Sequence, residues 1–205
     1  MPAKNENDVL PIMEMFYSIQ GEGFYQGTPA YFVRLAGCDV GCHWCDVKES
    51  WQVDESQYTS IQKIVDAIQQ SPAKVVIITG GEPLTYDLSS LTKQLKEAGF
   101  QINIETSGVY PLTGHLDWIC FSPKKFKKPL DDFFDKADEL KMVIFNKSDF
   151  KWATELADKM NDDCKLYLQP EWGKADTITS QIIDFVKENP RWNISLQTHK
   201  YLNIR

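Results

Sequence analysis

The chain has 205 residues, a net charge of −7 and five cysteines. Its length predicts a single domain, residues 1–205, and 42% hydrophobic with 25% charged residues is typical of a globular protein. The acidic balance argues against nucleic acid as a main partner. No apolar run approaches the roughly 18 residues that span a membrane, and the N-terminus lacks the apolar core of a secretory signal. We therefore expect a cytoplasmic protein with no membrane partner.

Strands and helices alternate along the chain after a polar segment, residues 1–8, that we expect to be loosely ordered. Short runs rich in β-branched and aromatic residues predict strands at 12–17, 30–36, 74–79, 101–105, 117–121, 139–145, 165–169 and 193–197. Apolar residues at helical spacing predict helices at 61–68, 88–95, 148–160 and 175–188. On the last helix, we expect one shared apolar face formed by Ile178, Ile182, Ile183 and Val186.

This order of elements indicates an α/β fold with a mainly parallel sheet. The chain has fewer helices than strands and is too short for a full eightfold α/β barrel. We therefore expect an open sheet or an incomplete (truncated) TIM-like barrel. In such folds the functional residues lie at the carboxyl ends of the strands.

A glycine-rich loop, Gln20-Gly21-Glu22-Gly23, follows the first predicted strand. Its spacing to Gly27 is G-x-G-x3-G and no helical pattern follows, so it does not match the dinucleotide-binding fingerprint. We interpret it as a tight loop that carries Gln20 and Glu22.

Three of the five cysteines lie close together after the second predicted strand. Cys38, Cys42 and Cys45 have the spacing C-x3-C-x2-C in a loop that Gly37 opens. Three thiolates can hold three irons of a [4Fe–4S] cluster and leave the fourth iron open for chemistry, whereas an electron-transfer cluster normally has four cysteine ligands. A Cys3His zinc site is the competing interpretation, but His43 lies between two ligands, where its ring has difficulty turning back to the same metal.

This cysteine spacing, with the aromatic Trp44 before the last cysteine, resembles the radical S-adenosylmethionine (SAM) superfamily. In that superfamily the amino and carboxylate groups of SAM chelate the open iron. The resemblance implies a [4Fe–4S] cluster and SAM as cofactors, an electron donor as partner, and cleavage of SAM to methionine and a 5′-deoxyadenosyl radical. The other two cysteines, Cys120 and Cys164, stand alone on predicted strands and are expected to be small core residues.

Polar segments at the ends of further predicted strands support this resemblance. The segment 79–83, Thr-Gly-Gly-Glu-Pro, resembles the superfamily's glycine-rich motif that holds the methionine amino group of SAM. Paired glycines let the backbone approach a ligand closely, and a carboxylate there can receive an ammonium group. Three more strands end in polar segments, at 105–108, 122–124 and 169–170. Four such segments at the same end of successive strands predict a binding site.

The chain also resembles a narrower family, the 7-carboxy-7-deazaguanine synthases, from about residue 12 to its end. The resemblance is carried by the sequences SIQGEG at 18–23, FVRLAGC at 32–38, SPK at 122–124 and SLQTHK at 195–200. It implies a homodimer with a truncated α/β barrel. It also implies a lyase reaction that converts 6-carboxy-5,6,7,8-tetrahydropterin to 7-carboxy-7-deazaguanine and ammonia, on the route to queuosine and other 7-deazapurines. SAM would be regenerated and act as a cofactor.

The same resemblance implies the binding residues. The SAM-binding residues would be Trp44, Asp46, Gly81, Glu82, Ser122, Pro123, Lys124, Gln169 and Pro170. The residues that bind the pterin substrate would be Ile19, Gln20, Gly21, Glu22, Arg34, Thr79 and His199. Arg34 offers a planar fork for the substrate carboxylate, and a surface ion pair is its alternative role. Gln20 and Glu22 suit the amide edge of a pterin, and no catalytic side chain is expected beyond the cluster and SAM.

One position departs from the family pattern. The family commonly places Thr or Ser two residues after the last cluster cysteine, where the hydroxyl helps to hold Mg2+ against the substrate. This chain has Val47 there, which offers no ligand atom. Because Mg2+ prefers oxygen ligands and often keeps several waters, a contribution from Asp46, Glu49 or Ser50 and a reaction without Mg2+ both remain open.

Two other functions share part of this pattern. A glycyl-radical-enzyme activase would have the cysteine motif and the glycine-rich segment, but it would not need Gln20, Glu22, Arg34 and His199 to converge on a heterocycle. A non-catalytic iron–sulfur or zinc-binding module would not cleave SAM. Detection of 5′-deoxyadenosine in the reduced protein would exclude that module.

Overall fold

The computed structural model describes residues 8–205, so the predicted loose segment 1–8 lies outside the described residues apart from Asp8. The strands are β1 (Val9–Ile19), β2 (Pro29–Leu35), β3 (Tyr58–Ser60), β4 (Val75–Gly80), β5 (Gln101–Thr106), β6 (Trp118–Phe121), β7 (Glu139–Ile144), β8 (Lys165–Pro170) and β9 (Trp192–Ile194). The helices are α1 (Ile61–Gln69), α2 (Ser89–Glu97), α3 (Asp132–Lys136), α4 (Ser148–Ala157), α5 (Ala175–Glu188) and α6 (Thr198–Leu202). Every predicted strand and helix is present, and β3, α3 and α6 are additional to the prediction.

The strands form one sheet in the spatial order β3-β1-β2-β4-β5-β6-β7-β8-β9. β1 is antiparallel to both of its neighbours. From β2 to β9 each strand is parallel to the next one in the sheet. In the part of the chain that the structure describes, no strand pairing joins the edges β3 and β9. The predicted α/β fold with a mainly parallel sheet and an incomplete barrel is therefore confirmed.

Helices cover the outer face of the sheet. Ile61, Ile64 and Ile68 of α1 are each at most 1% exposed and belong to the large core between helices and sheet. Their spacing places them on one side of a helix, and Ser60 caps its first turn by accepting a hydrogen bond from Lys63 N. Among the described residues, none of the helices has the length and apolar content that crossing a bilayer requires.

The predicted apolar face of α5 needs one correction. Ile178 and Ile182 are buried, but Ile183 is 41% exposed. Ile183 lies about 100° around the helix from Ile182, which carries it past the edge of the stripe that contacts the sheet. Isoleucine at this position therefore faces solvent rather than the core.

The inner face of the sheet changes character along the strands. Near the beginnings of β2 and β4 it is filled by an apolar cluster of Phe16, Ala30, Phe32, Val75 and Ile77. Side chains on one face recur at every second residue, so Arg34 and Thr79 follow Phe32 and Ile77 on this same face. The inside of the incomplete barrel is thus packed at one end and polar at the carboxyl ends of the strands.

Loop contacts close the gap that strand pairing leaves. The loop after β1 is tight, as predicted: Gln20 N donates to Thr28 O, and Gly27 N donates to Gln20 O, both at 2.8 Å. Thr198 N donates to Gly21 O at 3.0 Å, and Gly23 N donates to Ser195 Oγ at 2.9 Å. The glycine-rich loop is therefore fixed to the C-terminal segment, directly beside the open end of the barrel.

Candidate active site

A cavity of about 520 Å3 lies at the carboxyl ends of the parallel strands. β2, β4, β5, β7 and β8 each contribute side chains to its wall, as do the glycine-rich loop, the cysteine loop and α6. The predicted site residues that line it are Ile19, Gln20, Gly21, Glu22, Arg34, Cys38, Cys42, Trp44, Cys45, Asp46, Thr79, Gly81, Glu82, Ser122, Lys124, Gln169, Pro170 and His199. Pro123 is the exception: it is buried beside the wall.

The cysteine loop forms one wall of this cavity. Gly37 has a φ of +98°, which favours glycine, and a Cβ there would lie 2.5 Å from the Tyr86 hydroxyl. The turn that follows brings Cys45 N to 3.0 Å from Cys42 O. Cys42 is buried while Cys38 and Cys45 are half-buried, and all three contact the cavity.

The surroundings of the three thiols fit an iron–sulfur cluster. Val40, Val109 and Tyr110 pack around them, which shields a cluster from water. Burial raises the pKa of the Cys42 thiol to about 11, so iron binding, which requires the thiolate, must displace its proton. Within residues 8–205 no three His, Cys, Asp or Glu side chains converge on one metal-ion position. A cubane cluster does not need such convergence, because each cysteine binds a different iron.

His43 is engaged elsewhere, which does not favour the alternative Cys3His zinc site. Its ring packs edge-on against Phe126 and Phe145, with both ring centroids 5.3 Å away. The imidazole is therefore held among aromatic side chains, and it is not among the residues that line the cavity.

Backbone hydrogen bonds join the glycine-rich segment, residues 79–83, to the end of β2 and to the cysteine loop. Gly81 N donates to Leu35 O at 3.0 Å, and Glu82 N donates to Gly37 O at 2.9 Å. A Cβ on Gly81 would lie only 2.3 Å from Gly37 O, so a larger residue would push the two segments apart. This close approach explains why glycine precedes Glu82, and it places the segment next to Cys38.

The Glu82 carboxylate holds the end of β5. It is 1% exposed, and Oε1 accepts hydrogen bonds from Thr106 Oγ1 at 2.6 Å and Leu84 N at 3.2 Å. Oε2 accepts from the backbone N of Ser107 at 2.8 Å and from its hydroxyl. The sequence predicts that this carboxylate receives an ammonium group, but in the structure four protein donors already surround it.

The residues predicted to bind SAM form the wall beside the cysteine loop. Lys124 Nζ donates to Ser122 O and Oγ, both at 2.6 Å, and lies 5.6 Å from the centre of the Trp44 ring. Burial lowers the pKa of Lys124. Gln169 accepts a hydrogen bond from Ser195 Oγ at 2.7 Å, which fixes the end of β8 to the C-terminal segment.

The residues predicted to bind substrate line the same cavity. Arg34 Nε donates to Glu14 Oε1 at 2.7 Å across the β1–β2 pair, so the guanidinium is held with its terminal nitrogens available to a ligand. His199 packs on Gly21, where a Cβ would lie 2.3 Å from Nδ1. Burial lowers the pKa of His199, although Glu22 opposes this effect. The neutral imidazole is thus favoured near pH 7.

An ion cluster at the floor of the cavity contains residues that the sequence interpretation did not single out. Lys141 Nζ lies 2.6 Å from Glu22 Oε2 and 2.7 Å from Glu105 Oε2. Burial would raise the pKa of Glu22, but the charge and hydrogen bond of Lys141 and the hydrogen bond of Gln197 outweigh it and lower that pKa to about 2. The signal in the sequence is a lysine inside the predicted strand 139–145, which is otherwise mostly apolar.

The C-terminal segment joins this floor to the cysteine loop. Gln197 Nε2 donates to Glu22 Oε1 at 2.8 Å. Lys200 Nζ donates to Asp46 Oδ2 at 2.9 Å and to Gln197 Oε1 at 2.9 Å. The pKa of Asp46 is lowered because Lys200 outweighs the effect of burial. A continuous chain of polar contacts therefore connects the residue after the last cluster cysteine to the glycine-rich loop.

The family model described as "Radical SAM superfamily" matches residues 32–161, which include the cysteine loop and the strands from β4 to β7. Together with the incomplete barrel and the three clustered thiols, this match defines a radical SAM enzyme. The cofactors of that superfamily are a [4Fe–4S] cluster and SAM.

Relatives and a solved structure narrow the assignment. The chain is 52% identical to the 7-carboxy-7-deazaguanine synthase of Flavobacterium psychrophilum, over 98% of this chain and 96% of that protein. It is 44% identical to the enzyme of that name from Synechocystis, over 95% and 93%. The crystal structure of QueE from Escherichia coli superposes with a TM-score of 0.82 at 32% identity, covering 92% of this chain and 93% of that one. The chain belongs to the 7-carboxy-7-deazaguanine synthase family.

Proposed function

We propose that this chain converts 6-carboxy-5,6,7,8-tetrahydropterin to 7-carboxy-7-deazaguanine with release of ammonia, in the biosynthesis of queuosine and other 7-deazapurines. The observation that carries the proposal is the position of two sets of residues in one cavity. The cysteine loop lines this cavity, and Gln20, Glu22, Arg34 and His199 line it as well. A glycyl-radical-enzyme activase has no use for that second set.

The side chains of the predicted substrate residues match the groups of a carboxylated pterin. Arg34 pairs with the carboxylate through its terminal nitrogens, because Glu14 already occupies Nε. Glu22 accepts hydrogen bonds from the amino group and the ring N–H, since its lowered pKa keeps it ionised. Thr79, Ile19 and His199 complete the wall around the substrate.

The same cavity also holds SAM, against the cluster cysteines. Trp44, Ser122, Lys124 and Pro170 surround the adenosine end in this proposal, and the glycine-rich segment, residues 79–83, holds the methionine end. When bound, the cluster and SAM supply the 5′-deoxyadenosyl radical that takes hydrogen from the substrate. The contribution of the chain is to hold the substrate C–H bond in contact with the 5′ carbon of that radical and to keep water and other hydrogen donors away.

The same proposal includes an electron donor as a partner, assembly as a homodimer, and Mg2+ as a cofactor. Val47 lines the cavity without a ligand atom. The Ser50 hydroxyl donates to Val47 O at 2.7 Å, and Asp46 pairs with Lys200. We therefore propose that Mg2+, where it takes part, relies on substrate oxygens and water.

An anaerobic assay with reductant, SAM and 6-carboxytetrahydropterin tests the proposed reaction. We expect a deazaguanine product in excess over 5′-deoxyadenosine, because SAM is regenerated in each cycle. The cluster is quantified in the same sample by its iron content and visible absorbance. Absence of the product while the cluster is intact would refute the proposed function.

Replacing Arg34 by alanine is expected to weaken substrate binding and to leave the cluster in place. Loss of a charge-assisted pair in a partly buried site predicts an increase in KM of about 30-fold or more. Arg191→Ala is the matched control, because Arg191 pairs with Asp158 on the exposed surface. KM and iron content are measured for all three proteins. An unchanged KM in Arg34→Ala would show that Arg34 serves only its ion pair with Glu14.

A further inference from the structure

Lys141 occupies an unusual position for a lysine. It lies in the middle of β7, its side chain is 5% exposed, and its ammonium group contacts Glu22 and Glu105 at the floor of the cavity. Lysine is almost never buried this fully without a paired charge. Burial would lower its pKa, but the nearby thiol of Cys120 and the carboxylates outweigh burial and raise it well above the usual value. The side chain is therefore a fixed positive charge inside the cavity.

Without that charge, the Glu22 carboxylate would lose the group that most strongly opposes the effect of its burial. Glu22 Oε2 and Glu105 Oε2 approach the same nitrogen, so they lie close together, with side chains that are 17% and 20% exposed. Burial raises the pKa of Glu22, and a second carboxylate at short range also favours the protonated form of its neighbour. Glu139, also on β7, shows this effect of burial, because its pKa is raised and its Oε1 has no hydrogen-bond partner among the described residues.

The same cluster fixes the orientation of Gln20. Its Nε2 donates to Glu105 Oε1 at 3.2 Å, and its Oε1 accepts from Glu22 N at 3.3 Å. Because Lys141 holds Glu105 in place, it also fixes the Gln20 amide, whose nitrogen faces Glu105 and whose oxygen faces Glu22 N. Both residues that are suited to the amide edge of a pterin therefore depend on one ammonium group.

We propose that Lys141 is a positioning residue for substrate recognition, because it keeps Glu22 an ionised, acceptor-only group and, through Glu105, holds Gln20 in one orientation. A ligand edge made of an amino group and a ring N–H offers only donors, and an ionised carboxylate accepts from both. A protonated Glu22 would present its own O–H to that edge and lose one of these bonds. The inference rests on the proposed function, since it assigns the donor edge to the pterin.

Replacing Lys141 by methionine tests this role, because methionine keeps the length of the side chain and removes its charge. The affinity for 6-carboxypterin, an unreactive oxidised analogue with the same amino edge, is measured by calorimetry on cluster-loaded, SAM-loaded, unreduced enzyme. We expect the Kd to rise about 30-fold or more near neutral pH. Lys165→Met is the control, since Lys165 is exposed at the beginning of β8 and does not line the cavity.

The pH dependence separates this role from a merely structural one. The titratable groups around Glu22 and Lys141 are Glu105, Glu139, Cys120, Lys124, His199 and Asp46. Without Lys141, burial raises the pKa of Glu22, so its carboxylate returns only as the pH rises. We expect the ratio of variant to wild-type Kd to fall between about pH 6.5 and about pH 8.5. This ratio cancels the titration of the ligand itself.

A double-mutant cycle with Glu22→Gln completes the test. In that background Lys141→Met is expected to weaken binding by less than it does in the wild type, because the carboxylate it protects is already absent and only its effect on Gln20 remains. Additive losses, or a Kd ratio that does not change with pH, would overturn the proposal.

Lys141→Gln and thermal melting check that the fold is retained, and variants that only unfold, with unchanged Kd in the folded fraction, would also overturn it. A wild type that forms product while Lys141→Met binds normally refutes this inference alone, whereas a wild type that binds no pterin refutes the proposed function as well.

Discussion

Cys42→Ala is expected to remove the iron–sulfur cluster and all SAM cleavage together. Two thiolates cannot hold a cubane cluster that has three protein ligands, and the described surroundings offer no substitute, because His43 packs between Phe126 and Phe145. The iron content of the reconstituted variant should fall to background, and 5′-deoxyadenosine should be undetectable after reduction. Iron analysis, visible absorbance and chromatography of the products measure these outcomes.

Cys164→Ala is the matched control for this experiment. Cys164 is buried like Cys42 but belongs to the core between the helices and the sheet, where its thiol lies 3.8 Å from Lys165 O. Removing this small side chain from the core should cost about 1 kcal/mol of stability and leave the cluster and the activity intact. SAM cleavage by Cys42→Ala, or loss of the cluster in Cys164→Ala, would contradict the assignment of the three-cysteine loop.

The cysteine loop could be predicted from the sequence because its geometry is local. Cys38, Cys42 and Cys45 lie within one short turn, and their spacing alone limits the chemistry they can perform. The glycine-rich segment after β4 is readable for a similar reason, since the paired glycines mark a close backbone approach, here to Leu35 and Gly37. Both features are set by a few consecutive residues.

The floor of the cavity could not be predicted in this way. Glu22, Glu105 and Lys141 come from three distant parts of the chain and meet only because the loop after β1, the end of β5 and the middle of β7 face the inside of one barrel. A shift of one residue in the register of β7 would turn Lys141 to the helix-covered face. Its role therefore follows from the tertiary structure.

The short elements escaped prediction because their partners stabilise them. β3 has three residues and exists through its pairing with the beginning of β1. α6 has five residues, and its start is held by the hydrogen bond from Thr198 N to Gly21 O. Helices of this length are unstable in isolation, so no local pattern reveals them. α6 nevertheless carries His199 into the cavity.

Glu82→Gln is expected to destabilise the protein strongly although it changes a single charged group to an amide of the same shape. The amide nitrogen of glutamine would face donors, because Thr106 Oγ1, Ser107 N, Ser107 Oγ and Leu84 N all donate to the carboxylate. Leaving buried donors without acceptors costs about 1–3 kcal/mol for each group. We expect a loss of about 3 kcal/mol in the free energy of unfolding, measured by urea titration of the cluster-free protein.

The matched control is Glu97→Gln, because Glu97 is exposed at the end of α2 and should change stability by less than about 0.5 kcal/mol. Beyond stability, the Glu82 carboxylate is the link that holds the end of β4 against the end of β5. Its loss should also weaken SAM binding, since both strand ends line the cavity. A variant that is as stable as the wild type and has lost only SAM affinity would indicate that Glu82 contacts SAM directly. A loss of both stability and SAM affinity would show that Glu82 supports this part of the cavity wall. The sequence motif alone does not reveal that role.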